Sequence, residues 1–480
     1  MASTADNLGD PNPMPWTWRA TIGAAILALA VSAYGLRDSI GLRGQSAVGV
    51  IFFIGLVALF STNLRAVNWR TIAWGFSLQI VLAVLVLKVD VVYQAFQRVG
   101  TVVKAFIGFS DKGAEFVFGN LARPGDLALN PGVEFLFIFA FKALPPILFV
   151  SAFFTVLYHY GILQWCVRLM AQGMVYLMKT SGAETLSVSA NVFMGMTEAP
   201  LIVKPYVPRM TNSELFTLMA SGMAHISGGM MVVYINYGAD PVAVLTTCVM
   251  ACPGSLYLAK LFLPETETPE TAGTVETKSE KSPFVNGIDA AAAGTTDGLR
   301  LALNVAAMLI VFIAFVAMFN ALLEGIKPAL LWVGVPGDVL AGWPDDLSLG
   351  KLFGWLFAPA AFLIGIDADD MHTVASLLGS KLSINEHYAY LEMKRMLPVL
   401  DPATGHVLVP GQMSARSFKL TAFALTGFAN FASIGIQLGG IGALAPERRH
   451  DLARLGGRAL FVGFVATLLN AAIAGVLIDD

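Results

Sequence analysis

The sequence predicts an all-α polytopic membrane protein, and three observations lead to this fold class. Hydrophobic residues make up 56% of the 480 residues and charged residues 13%, about half of the ~25% that is usual in soluble chains. The mean hydropathy is +0.69. Apolar runs of about 20 residues, long enough to cross a bilayer, recur along the chain. A soluble fold would lack the polar residues needed to cover so large an apolar core.

Charge and cysteine content exclude other classes of protein. The formal net charge is −3, whereas nucleic-acid-binding domains are usually strongly basic, so no nucleic-acid partner is expected. Three cysteines are too few for the disulfide framework of a small secreted domain. No basic segment precedes the first apolar run, so no cleavable signal peptide is predicted.

The region 1–90 carries the first predicted membrane-spanning helices. Its apolar runs lie at 21–36, 46–61 and 71–88 and are separated by short polar loops. Basic residues occur in loops on both sides of these spans, so the positive-inside rule predicts no orientation.

The region 91–132 begins differently. Between 91 and 107 the apolar residues recur at intervals of three or four, while Arg98 and Lys104 fall on the opposite helix face. This pattern predicts an amphipathic helix that lies in the membrane interface rather than crossing the bilayer.

A polar linker at 264–298, rich in Pro, Thr and Glu, divides the rest of the chain into two apolar halves, 133–263 and 299–480. Such a composition is typical of a solvated loop. Further membrane-spanning helices are expected at 133–158, 299–324 and 458–478.

Two other segments are apolar but carry a carboxylate in the middle. The segment 181–207 contains Glu198, and the segment 375–393 contains Glu386. A charged side chain in hydrocarbon costs at least about 3 kcal/mol, so each should face a cavity or a partner. Small and polar residues around each acid favour a helix, a break and a second helix.

Each of these acidic segments precedes a Gly- and Ser-rich apolar stretch, which predicts broken helices at 215–237 and 418–442. Unwound backbone survives at membrane depth only where protein or water satisfies its hydrogen bonds. Paired interrupted segments in corresponding halves are typical of secondary transporters, whose site lies where the repeats meet.

Individual polar residues allow more than one interpretation. Glu198 and Glu386 fit ligand-binding carboxylates, but each also fits an acid that reaches water at a turn. Asn430 and Ser433 are three apart and share a helix face; such pairs bind ligands or join helices. His225, alone in a Gly-rich helix, fits either a packing residue or a functional one.

Four stretches resemble the concentrative nucleoside transporter family. They read GMTEAP at 195–200, MAHISG at 223–228, NEHYAY at 385–390 and GFANFASIGIQLGGIGALAPERR at 427–449. The last stretch is a near-verbatim match to the family pattern. The resemblance covers roughly residues 90–450.

The resemblance implies a fold and a function. It implies an inverted-repeat transport domain, with re-entrant hairpins at 181–207 and 375–393 and broken helices, beside scaffold helices in a homotrimer. The activity implied is cation-coupled nucleoside import by alternating access, without a cofactor or catalysis. The coupling ion is sodium or a proton, and the expected location is the plasma membrane or the bacterial inner membrane.

The resemblance also assigns residues to three sites. The nucleobase-binding residues are Met196, Thr197, Glu198 and Met230. The ribose-binding residues are Glu386, Asn430, Ser433 and Phe428. The cation site, which would hold sodium if any metal is bound, consists of Asn191, Met194, His225 and Ile226.

Two departures from the family pattern affect these sites. Met196 replaces a glutamine, which removes a donor and an acceptor for the base edge. His225 replaces a Ser or Thr hydroxyl and supplies a group whose unperturbed pKa is about 6.5. We therefore hypothesise coupling to protons, alone or together with sodium. His387 and Ala432, in place of Phe and Ser, alter the surroundings of the site further.

Three other functions remain open. A transporter of another polar solute, such as a nucleobase, would not depend on Glu386 and Asn430. A polytopic membrane enzyme would use Glu198, His225 and Glu386 as acid, base and ligand. A channel would accumulate no solute against a gradient. The chain has no G-x-x-x-x-G-K-[ST] motif, so the sequence predicts no ATP-driven step.

Overall fold

The computed structural model describes residues 14–122, 139–142, 144–273, 283–340, 342, 344, 347–397, 399–400, 407–409 and 411–479. Residues 1–13, 123–138 and 274–282, which belong to the predicted N-terminal, interfacial, core and linker regions, lie outside this description. The described part is almost entirely helical, which confirms the predicted fold class.

The first four helices follow the order that the sequence predicts. They are α1 (Trp16–Gly35), α2 (Arg37–Leu59), α3 (Trp69–Lys88) and α4 (Asp90–Phe118). Helix α2 starts before its predicted apolar run and is kinked at Gly41, where φ is 62°, a conformation that favours glycine. Helix α4 continues to Phe118, beyond the amphipathic pattern at 91–107.

Among the described residues, the rest of the first half contains eight α-helices. They are α5 (Phe139–Lys142), α6 (Leu144–His159), α7 (Ile162–Met178), α8 (Gly182–Ala190), α9 (Ala199–Ile202), α10 (Asn212–Ala224), α11 (Gly228–Asn236) and α12 (Pro241–Phe262). Helices α6 and α7 meet at an angle of 75°. We call α8, α9 and the turn 191–198 the first hairpin. Residues 225–227 interrupt what would otherwise be one span, α10–α11.

The second half repeats this arrangement. Its helices are α13 (Gly287–Trp332), α14 (Leu349–Ile364), α15 (Met371–Ser383), α16 (Glu386–Arg395), α17 (Ala415–Leu425), α18 (Phe431–Leu444) and α19 (Arg449–Leu477). A short antiparallel ribbon, β1 (Val399–Leu400) with β2 (Val407–Val409), follows α16. We call α15–α16 the second hairpin. Residues 426–430 separate α17 from α18.

Polar side chains start the helices that follow each break. The side chain of Ser227 accepts a hydrogen bond from the Met230 amide at 3.3 Å, and Asn385 accepts one from Tyr388 at 2.8 Å. Such caps satisfy amide groups that have no partner within the helix. Capping residues therefore make the interruptions stable within an apolar environment.

Seven helices or helix pairs in the described residues are long and apolar enough to cross a membrane, or up to eight if α6–α7 forms one bent span. The broken span α10–α11 and helices α12 and α19 are largely buried in protein. In contrast, no residue of the segment 313–332 of α13 is buried in protein. The hairpins and broken helices thus pack around a buried centre, with exposed apolar helices outside.

A buried charged cluster joins the base of the first hairpin to α12. The Lys260 ammonium group lies 2.8 Å from Glu184 Oε2 and 3.2 Å from Glu265 Oε2, and it donates to Ser213 Oγ at 2.9 Å. Glu214, at the start of α10, accepts a hydrogen bond from Ser181 Oγ. One ammonium group therefore connects α8, α10, α12 and the loop after α12.

Candidate functional site

The predicted ribose-binding residues meet around one buried carboxylate. Glu386 Oε1 accepts a hydrogen bond from the Tyr234 hydroxyl at 2.8 Å, and Oε2 accepts one from Asn430 Nδ2 at 3.0 Å. Asn430 Oδ1 in turn accepts from Ser433, from the amide at 2.9 Å and the hydroxyl at 3.1 Å. Three elements, α11, α16 and α18, therefore converge on Glu386.

The breaks in the two halves bring these residues together. The backbone amide of Phe428 donates to the carbonyl of His225 at 3.0 Å, which ties the break before α18 to the break before α11. Gly427 makes this approach possible, because its φ is 149° and a Cβ there would lie 2.6 Å from the Thr467 side chain. Phe428 itself is half-buried beside the site.

Tyr234 is a site residue that the sequence did not single out. Its ring stacks on Tyr390, with centroids 4.3 Å apart and planes 15° from parallel, and the Tyr390 hydroxyl donates to the Ala422 carbonyl at 2.8 Å. A buried tyrosine hydroxyl needs a hydrogen-bond partner. This requirement could have marked Tyr234 as a residue with a polar partner inside the protein. It does not identify Glu386 as that partner.

A fully buried lysine lies near the same carboxylate. Lys381 Nζ donates to the Ala424 carbonyl at 2.7 Å and to Thr467 Oγ1 at 2.8 Å, both of them neutral groups. Lys381 and Glu386 are close enough to interact electrostatically. The lysine thus connects the second hairpin to the end of α17 and to α19.

The predicted nucleobase-binding residues face several directions. Met196 packs against Gly222 of α10, and Thr197 packs against Gly440 of α18. Glu198 Oε2 accepts a hydrogen bond from its own hairpin, from the Gly195 amide at 3.1 Å. Glu198 and the buried Met230 form no hydrogen bond to the ribose-binding set among the described residues.

Glu198 lines a cavity of 410 Å³ between the first hairpin, α6 and α13. Asp297, Lys204, Ser227 and Met194 line it with apolar residues of α6. The cavity can therefore offer charged and hydroxyl groups to a polar solute. Glu386 does not line this cavity.

The predicted cation-site residues lie around Ser221, which the sequence did not single out. Asn191 Nδ2 donates to Ser221 Oγ at 3.1 Å, and His225 Nδ1 donates to the Ser221 carbonyl at 2.9 Å. Asn191 Oδ1 is buried and makes no hydrogen bond within the described residues. Met194 lies in the turn after Asn191, and Ile226 is buried in the break.

A buried amide oxygen without a hydrogen-bond partner is better suited to bind a cation than to contact an apolar group. His225 Nε2 also has no hydrogen-bond partner in the described part of the chain, although the Cys248 carbonyl lies near the ring. No group of three His, Cys, Asp or Glu residues suited to a metal occurs among the described residues. Any sodium ligands would thus be amide, hydroxyl or carbonyl oxygens.

Comparisons with known proteins identify the family. Residues 48–121 and 243–475 match the N-terminal and C-terminal models of Na⁺ dependent nucleoside transporters, and 140–240 match a model described as "Gate: Nucleoside recognition". An uncharacterized transporter of Haemophilus influenzae is 38% identical over 435 residues, covering 90% of this chain and 97% of that protein. The chain belongs to the Na⁺ dependent nucleoside transporter family.

Further relatives within the family are longer. Mouse solute carrier family 28 member 3 is 36% identical over 470 residues, which cover 97% of this chain but 63% of that protein. Human sodium/nucleoside cotransporter 1 is 36% identical over 476 residues, covering 98% of this chain and 69% of that protein. The chain thus spans about two thirds of these relatives, and the family is one of transporters rather than enzymes.

Solved structures of the family share the fold. CNTnw in an inward-facing substrate-bound state matches with a TM-score of 0.80 and 35% identity, over 91% of this chain and 98% of that one. A CNTnw variant in an outward-facing state matches with a TM-score of 0.81. These findings confirm the predicted resemblance. They also confirm that the chain is a multi-pass membrane protein of the nucleoside transporter family.

Proposed function

We propose that this protein is a cation-coupled nucleoside importer that works by alternating access. The observation that carries the proposal is the Glu386 carboxylate, which is buried and bonded to neutral donors from two different helices. A carboxylate can accept hydrogen bonds from two neighbouring hydroxyls at once. The ribose of a nucleoside presents such a pair, and Asn430 and Ser433 extend the polar surface beside it.

A preference for solutes that carry a ribose follows from the free-energy cost of leaving the Glu386 carboxylate without hydrogen-bond donors. When a solute displaces the Tyr234 or Asn430 hydrogen bond, its own hydroxyls must replace the lost donor. A solute that lacks them leaves a buried polar group without a partner, which strongly disfavours binding. A free nucleobase therefore fits this set of residues less well than a nucleoside.

In this proposal the base is bound by Met196, Thr197, Glu198 and Met230, and the cation is bound near Asn191. The Asn191 amide oxygen and the Met194 and Ile226 carbonyls would hold a sodium ion, and the His225 ring would take up a proton if protons are the coupling ion. The hairpin turn carries both Asn191 and Glu198, so a bound cation would stabilise the residues that receive the base. Cation and solute binding would thereby favour each other.

A single cation provides enough free energy for accumulation. Moving one charge across 100 mV releases about 2.3 kcal/mol, and a tenfold concentration gradient adds about 1.4 kcal/mol. Together they support accumulation of roughly a few hundred-fold. Movement of the hairpins and broken helices against the exposed scaffold helices, within a homotrimer, would expose the site to each side in turn.

The test is uptake of uridine and adenosine into proteoliposomes, with sodium and proton gradients imposed separately. Concentrative uptake under either gradient supports the importer, and the effective gradient identifies the ion. Uptake of uracil or adenine in preference to the nucleosides would favour a nucleobase transporter. Equilibration without accumulation would indicate a channel. Light scattering of the purified protein in detergent tests the trimer.

Replacing His225 by serine tests the identity of the coupling ion. Serine restores a hydroxyl oxygen, a ligand that sodium prefers to an imidazole nitrogen. We expect the H225S variant to depend on sodium and to lose any stimulation by a proton gradient. His387→Phe is the matched control, because it removes another buried histidine outside the proposed cation site. Wild-type uptake driven by sodium alone at every pH would refute proton coupling.

Replacing Met196 by glutamine tests the nucleobase assignment. The glutamine amide adds a donor and an acceptor, and one new hydrogen bond is worth about 1 kcal/mol. We expect the ratio of KM values for adenosine and uridine to change by about fivefold to tenfold. Met196→Leu keeps the apolar character and should leave this ratio unchanged. Equal ratios in all three proteins would show that residue 196 does not contact the base.

A further inference from the structure

Lys381 is a buried lysine that the proposed transport mechanism does not use. It lies in the last turn of α15, the first helix of the second hairpin, and its side chain is 0% exposed. Its Nζ donates to the Ala424 carbonyl in the last turn of α17 and to Thr467 Oγ1 of α19. Thr467 Oγ1 already donates to the Phe464 carbonyl at 2.8 Å, so it accepts from Lys381. The lysine side chain therefore joins three elements inside the protein.

The helices that precede the two breaks end in the same way. In the first half, His225 follows α10, and its Nδ1 donates to the Ser221 carbonyl, four residues back, at 2.9 Å. In the second half, Thr426 follows α17, and its Oγ1 donates to the Ala422 carbonyl, four residues back, at 2.7 Å. A polar side chain thus closes the last helical turn before each break, and the two helix ends correspond.

Each of these helix ends also receives a polar side chain from the hairpin of its own half. Asn191, directly after α8, donates to Ser221 in the last turn of α10 at 3.1 Å. Lys381, in the last turn of α15, donates to Ala424 in the last turn of α17 at 2.7 Å. The first hairpin therefore offers a neutral amide where the second hairpin offers an ammonium group.

The surroundings of Lys381 favour the charged form of its side chain. The last carbonyls of an α-helix have no partner within the helix and carry a partial negative charge, and Ala424 supplies one of them. The nitrogen lies 5.4 Å from the centroid of the Phe464 ring, whose face attracts cations. The Glu386 carboxylate is close enough to interact electrostatically with Lys381. These interactions offset the cost of burying a charge.

We propose that the Lys381 ammonium group is a fixed cation, which takes in the second half the place that the coupling cation would take near Asn191 in the first half. The comparison rests on the proposed function, because that function places a cation near Asn191. The second hairpin also carries Glu386, so Lys381 is a positioning residue. It holds the hairpin against α17, and thereby the carboxylate in place for the ribose, without a second ion from solution.

Removing the lysine and supplying a soluble cation tests this proposal. Lys381→Ala removes the side chain beyond Cβ, and propylammonium matches the part that is lost. We expect K381A to melt several degrees below wild type in detergent and millimolar propylammonium to restore most of that loss. 1-Propanol, which has a similar size but no charge, should restore none of it. The measurement is the melting temperature by intrinsic fluorescence, with choline chloride keeping the ionic strength constant.

The matched control is Lys419→Ala on α17. Lys419 lies 3.6 Å from Asp240, and its side chain is 22% exposed, so K419A leaves no enclosed space and should not respond to propylammonium. A K381A protein that responds alike to propylammonium and 1-propanol would overturn the proposal. If K381A does not fold, Lys381→Met keeps the apolar part of the side chain without the charge. A K381M protein as stable as wild type would also overturn it.

The effect on the solute is measured separately, as uridine binding to the purified protein by calorimetry. If the protein is a nucleoside importer, K381A should bind uridine about 10-fold more weakly, because Glu386 loses its fixed position. Propylammonium should restore this affinity, and equal affinity in K381A and wild type would refute the positioning role. The melting experiment needs no nucleoside. Charge-specific recovery of the melting temperature, together with no uridine uptake by wild type, would refute the importer and leave Lys381 as the cation that joins the second hairpin to α17.

Discussion

Replacing Glu386 by glutamine should reduce nucleoside uptake at least about 100-fold. The change keeps the shape of the side chain but removes the charge that accepts hydrogen bonds from the ribose hydroxyls. Hydrogen bonds to a charged group are each worth about 1.5–3 kcal/mol, so losing two of them accounts for this factor. The measurement is the initial rate of uridine uptake into proteoliposomes over a range of concentrations.

The matched control for E386Q is Glu392→Gln, on the same helix. Glu392 pairs with the exposed Arg395 at 2.6 Å, outside the buried set around Glu386, and its loss should leave uptake unchanged. Comparison with 2′-deoxyuridine adds a second readout, because wild type should prefer uridine and E386Q should lose that preference. Undiminished uridine uptake by E386Q would contradict the ribose assignment and favour a nucleobase as the solute.

Replacing Lys260 by methionine should have the largest effect on stability. The change leaves Glu184 and Glu265 without their shared cation at the base of the first hairpin. Removing one partner of a buried ion pair costs about 3–5 kcal/mol of unfolding free energy. We expect the K260M variant to melt several degrees below wild type in detergent, as measured by intrinsic fluorescence.

The control for K260M is Arg395→Met, which breaks an exposed ion pair. Such pairs contribute about 0–1 kcal/mol, so its melting temperature should stay close to that of wild type. Adding Glu184→Gln to K260M removes one of the unpaired buried charges and should restore part of the loss. A K260M protein as stable as wild type would show that the cluster does not hold the hairpin base together.

The sequence was sufficient to predict the fold class, including the presence of broken helices. Runs of apolar residues predict membrane-spanning helices, and glycine, proline and capping residues predict breaks. Both features depend on residues that are close together in the chain, so the sequence alone indicates them. The predicted breaks at 215–237 and 418–442 contain the observed interruptions before Gly228 and before Phe431. The region boundaries and the roles of the site residues stay predictions.

The sequence also placed Glu386, Asn430 and Ser433 in one set, through a resemblance to a known pattern. The same resemblance assigned Glu198 to a separate, nucleobase-binding set, and the structure places Glu198 beside a cavity that Glu386 does not line. A motif records which residue types occur, but the direction of each side chain depends on which helix packs against the hairpin. The contacts of Met196 and Thr197 with Gly222 and Gly440 illustrate that dependence.

By itself, the sequence determined that this protein is a helical membrane protein with two similar broken halves, and its motifs pointed to the nucleoside transporter family. Only the tertiary structure decided that Tyr234 donates to Glu386, that Ser221 lies between Asn191 and His225, and that Lys260 joins Glu184. Apart from Ser221 and His225, which are four residues apart at the end of α10, these partners are distant in the chain and lie on different elements. Such partners are selected by packing and by the requirement that every buried polar group be satisfied, which local sequence does not encode.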